Sequence, residues 1–146
     1  MAYLGMDLFN AAAPQQVQRA SILLYTGLAL SLASDIIGHA NDGEIWSWGM
    51  LVLLAGYAVL LWICACVADG RNWARIAVTF LLLIVALTIV AVVATLGPGS
   101  PPWEVTTLLD IMSFGIDAYA LFLIWTNPGS AWFRKVDRTA TATAAE

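Results

Sequence analysis

Four apolar runs, each close to twenty residues, alternate along the chain with short clusters of Gly, Pro, Asn and Asp. About 20 mainly apolar residues in an α-helix cross a bilayer core. The pattern predicts an all-α integral membrane protein, a single domain over 1–146, with spans at about 17–38, 45–67, 76–96 and 105–125. Asn41-Asp42-Gly43 marks the first turn and Asp69-Gly70-Arg71-Asn72 the second. Gly97-Pro98-Gly99-Ser100-Pro101-Pro102 marks the third, and Asn127-Pro128-Gly129 closes the last span. Such dipeptides punctuate helices. Short connections place sequence neighbours side by side and antiparallel, so the expected topology is an up-down-up-down four-helix bundle.

Charge orients this layout. Arg19, Arg71, Arg75, Arg134, Lys135 and Arg138 all fall on one side, whereas the opposite connections carry Asp42, Glu44 and Glu104. Basic residues favour the cytoplasmic side, which predicts that both termini and the middle loop are cytoplasmic. Trp46, Trp48 and Trp103 fall at one boundary, and Trp73, Trp125 and Trp132 at the other, as aromatic belts do. Trp62 lies deeper and is open to lipid or core. Residues 130–136 and 3–13 read as short interfacial segments, and 139–146 as a mobile tail. The run after Arg19 is too long for a secretory signal core, and no A-x-A site follows it.

Composition strengthens the membrane reading. Apolar residues make up 61% and charged residues 11%, against about 45–50% and 25% in soluble domains. The net charge of −4 argues against nucleic acid as a partner, because such binding needs clustered basic surface. Cys64 and Cys66 point about 200° apart on a helix, which suits packing better than chelation. No motif identifies a cofactor.

The informative side chains are the polar ones inside the spans, since an ionisable group there costs roughly 2.5–3.5 kcal/mol to insert. Asp110 and Asp117 stand two turns apart in the fourth span, with Ser113 on the same stripe. That stripe serves a proton or cation path, a buried seam or a contact with another subunit. Asp35 and His39, four apart at the end of the first span, share a face and could form a metal or pH site. Gly27, Ser31, Ser34 and Gly38, and Gly49 and Gly56 in the next span, are small residues at helix-packing spacing. Arg71, Trp73, Arg75, Trp132, Arg134 and Lys135 are expected at anionic lipid headgroups.

The hexapeptide Gly70-Arg71-Asn72-Trp73-Ala74-Arg75, with Pro14, Val17 and Ala20 before the first span and Trp132-Phe133-Arg134 after the last, resembles a broad group of small four-helix bacterial inner-membrane proteins. The resemblance implies the fold and a bacterial inner-membrane location, and carries no catalytic residue. Three readings of function stand beside each other. The first is a non-enzymatic accessory subunit, a homo-oligomer or part of a larger membrane complex. The second is an oligomeric transporter or channel using Asp110 and Asp117. The third is a metal- or lipid-binding protein using Asp35 and His39.

Overall fold

The computed structural model describes residues 13–43, 47–95 and 105–134. These residues form four long helices and no strand: α1 Gln15–Asn41, α2 Trp48–Ala68, α3 Asn72–Thr95 and α4 Val105–Trp125. All four are long and apolar enough to cross a membrane. A short helical turn follows at 129–134. Of the expected interfacial segments 3–13 and 130–136, residues 3–12 and 135–136 lie outside the described residues, as does the tail 139–146.

Local chemistry sets the helix ends. The Ser47 side chain accepts a hydrogen bond from the Met50 amide at 3.2 Å, so α2 starts at Trp48 rather than at residue 45. A hydroxyl at that position satisfies an amide that the first helical turn leaves unpaired. α1 runs past Gly38 to Asn41, because its stop is Asp42 followed by Gly43 at φ 74°. α2 ends in a two-bond turn: Arg71 N donates to Cys66 O at 3.0 Å and Gly70 N to Val67 O at 2.9 Å. Gly70 supplies the left-handed conformation, φ 80°, that this turn needs. The turn is so tight that α3 begins at Asn72, and Trp73, Ala74 and Arg75 occupy its first turn instead of preceding the helix.

Packing is uneven. α1 and α4 lie antiparallel and are joined at three levels. Gln16 Nε2 donates to Thr126 Oγ1 at 2.7 Å, Ser113 Oγ to the Gly27 carbonyl at 2.9 Å, and Ser34 Oγ to the Thr106 carbonyl at 3.1 Å. α2 and α3 join this pair mainly through the ends near residues 64–75, where Cys64, Cys66, Val67 and Ala74 meet Val17, Ala20, Leu24, Leu121 and Ile124. This basic end carries Arg19, Arg71, Arg75 and Arg134; the opposite, acidic end carries Asp35 and Asp42. Phe133 folds back from the turn at 129–134 and is completely buried in the basic-end cluster. Toward the acidic end, α2 buries only Met50 and the described side chains of α3 bury none.

Candidate functional site

The α1–α4 seam brings several of the polar residues together. The Ser31 and Ser113 hydroxyls are 2.6 Å apart, and Ser113 reaches the Gly27 carbonyl. Ser113 has one proton to give. If that proton goes to Gly27, the Ser31 hydroxyl must be the donor to Ser113. One turn further along α4, Asp117 packs against Gly27 so closely that a Cβ there would collide with its carboxylate. Asp117 Oδ1 is buried and has no hydrogen-bond partner among the described residues. Twelve residues from the start of α4, Asp117 lies roughly 18 Å along a helix about 30 Å long. The buried thiol of Cys64 on α2 is close enough to feel its charge.

A second group lies nearer the acidic end. The Tyr57 hydroxyl of α2 donates to Asp35 Oδ2 at 2.6 Å, with Ser31 and Asp110 nearby. Sequence reasoning missed Tyr57, since one tyrosine in an apolar run has no motif around it. Asp110 is exposed, with Ile111 and Met112 beside it also exposed. His39 Nδ1 lies 3.0 Å from the backbone carbonyl of Asp35, and the Asp35 carboxylate is engaged by Tyr57. The expected carboxylate–imidazole pair is therefore replaced by two separate contacts. Among the described residues no three His, Cys, Asp or Glu side chains gather closely enough to hold a metal ion.

The small residues divide. Gly27, Ser31 and Ser34 enter the α1–α4 seam. Gly38 and Gly56 have nothing within 4 Å of an added Cβ, and at Gly49 the nearest neighbours would be Ser47 Oγ at 3.4 Å and His39 Nε2 at 3.9 Å.

The basic end corrects one expectation. Arg75 does not extend toward headgroups: it is only 7% exposed. Its guanidinium lies 4.1 Å from the Trp125 ring centroid and 5.2 Å from that of Phe133. It also donates to Asn72 Oδ1 at 2.6 Å. Trp125 is held in place by its Nε1–H donating to Thr79 Oγ1 at 3.0 Å. A guanidinium is weakly hydrated and planar, so aromatic faces replace water around it at modest cost. Arg75 enters the protein because α3 starts four residues earlier than its apolar run. Arg71, Trp73 and Arg134 are exposed, whereas Trp132 packs partly against the core. Trp62 rests on Trp73 with ring centroids 5.5 Å apart, and both rings remain about half exposed.

Chemically, these arrangements supply hydrogen bonding across a helix pair and three carboxylates at membrane depth. No protein-family model, curated protein or solved structure matches the chain, so the description that stands is of a small multi-pass membrane protein with four apolar helices.

Proposed function

We propose that the protein is a non-enzymatic subunit of a bacterial inner membrane, with both termini cytoplasmic, that acts by joining copies of itself or a larger membrane complex. The observation that carries this reading is Asp110. It is an exposed carboxylate between apolar neighbours, within a helix able to span the bilayer. A charge presented to lipid costs up to about 2.5–3.5 kcal/mol, the value at mid-helix, and a polar group on a neighbouring subunit removes that cost. The loosely held acidic ends of α2 and α3 provide apolar surface for the same contact. The full chain, extracted in mild detergent, is expected to run as more than one copy or with a partner. Asp110→Lys is expected to dissociate that assembly while leaving the helical content unchanged. A strictly monomeric wild-type protein that retains no partner overturns the proposal.

A second reading rests on Asp117, whose buried Oδ1 near mid-span has no hydrogen-bond partner among the described residues and is suited to accept a proton or meet a cation. The basic end is packed shut below it by Leu24, Cys64, Leu121 and Phe133, so conduction would require rearrangement or a path between subunits. If Asp117 carries flux, proteoliposomes will show pH-dependent proton movement that Asp117→Asn abolishes. No flux from the wild type, or equal flux from the variant, removes this reading.

A further inference from the structure

The basic end has a groove on its outer surface that none of these roles uses. It lies between α1 and α4 and has a volume of about 620 Å³. Ile22 and Leu23 form one wall, Tyr119 and Leu123 the other, and Gln15 and Arg19 stand at the end nearest the start of α1. The walls are tied together there by the bond from Gln16 Nε2 to Thr126 Oγ1. Arg19 is exposed and is the only charged side chain lining the groove among the described residues.

Along α1, Gln15, Arg19, Ile22 and Leu23 line the groove at i,i+4, then i,i+3 and i,i+4 from Arg19, and Tyr119 and Leu123 face them at i,i+4 on antiparallel α4. Such neighbours stack along a helix axis, so the groove runs lengthwise, from a cationic rim into an apolar trough. Leu23 lies one turn past Arg19, about 6 Å deeper. A phospholipid has the matching layout: an anion at headgroup level and an acyl chain running inward. Arg19 complements the anion, and the Gln15 amide beside it can donate to a phosphate oxygen. A free phosphate would use the rim and gain nothing from the two apolar walls.

We propose that this groove binds one anionic phospholipid in the leaflet at the basic end, with its phosphate on Arg19 and one acyl chain between the Ile22/Leu23 and Tyr119/Leu123 walls. The proposal does not depend on which functional reading holds. The test uses the full chain in mild detergent, titrated with phosphatidylglycerol or phosphatidylcholine and followed by native mass spectrometry. One phosphatidylglycerol per chain is expected to bind in preference to phosphatidylcholine.

Arg19→Gln should weaken phosphatidylglycerol about fivefold, the effect of one basic charge near a membrane surface, whereas Arg19→Lys should retain it. Leu123→Trp, which fills the trough, should weaken both lipids. Phe80→Trp enlarges an exposed side chain on α3, away from the groove, and should change neither. Unchanged binding in both Arg19→Gln and Leu123→Trp overturns the proposal, as does an equal loss in Phe80→Trp. Displacement of phosphatidylglycerol by equimolar inorganic phosphate would identify a free-anion site and also overturn it.

Discussion

The two ends of the bundle are built from the same four helices, yet one is closed and the other is open. At the basic end all four helices contribute to one buried cluster, and Phe133 returns to fill it. At the acidic end α1 and α4 remain joined through Ser34 and Thr106, while α2 and α3 contribute little. Hydropathy does not account for this difference, because lipid solvates apolar side chains as well as another helix does. Connection length and specific contacts do. α2 and α3 are joined at the basic end by three residues, 69–71. The connections at the acidic end, 42–47 and 96–104, are six and nine residues long. Arg75, Trp125 and Thr79 then tie α3 to α4 at the basic end. Close approach in a membrane therefore follows short turns, small residues and polar contacts rather than apolar character.

The contrast is most exposed to test at Phe133. Phe133→Ala should destabilise the fold by about 3–5 kcal/mol, as for other buried aromatic truncations, read from unfolding in mixed micelles. Leu87→Ala, at a side chain 62% exposed on α3, should stay within about 0.5 kcal/mol of wild type. Equal losses at the two sites would break the distinction between closed and open ends.

The seam offers a smaller and more local test. Gly27→Ala places a methyl on the Asp117 carboxylate, and overpacking of this kind costs about 1–3 kcal/mol. Asp117→Ala in the same chain should restore most of that loss, so the two changes should be clearly non-additive in a double-mutant cycle. Additive losses would mean that α1 and α4 do not meet at this point.

Within the seam Ser113→Ala should have the smaller effect, about 0.6 kcal/mol for each of its two hydrogen bonds, the average between membrane helices. It removes the donor to the Gly27 carbonyl and the partner of Ser31. A loss of several kcal/mol in the same unfolding assay would show that the seam depends on this hydroxyl far more than on close packing.

Much of the fold was legible in the sequence because its causes are local. Four runs of sufficient length give four helices. The Gly70 turn follows from residues within a few positions of each other. The boundaries moved where apolar character was a poorer guide than capping, as at Asn72 and Asn41. The candidate site was legible in part. The stripe of Asp110, Ser113 and Asp117 and the small residues Gly27, Ser31 and Ser34 could be read by spacing alone, as could their suitability for packing.

What the tertiary structure decided was which faces meet. It separated Asp117, on the seam, from Asp110, on the surface. It gave Asp35 a tyrosine instead of a histidine, turned Arg75 inward and buried Phe133. Helices that are apolar on nearly every side carry no stripe to announce their inner face. The contacts that choose it, such as Gln16 with Thr126 and Ser31 with Ser113, join residues 110 and 82 positions apart. The sequence alone determined that these helices enter a membrane; their packing determined which polar groups face one another inside it.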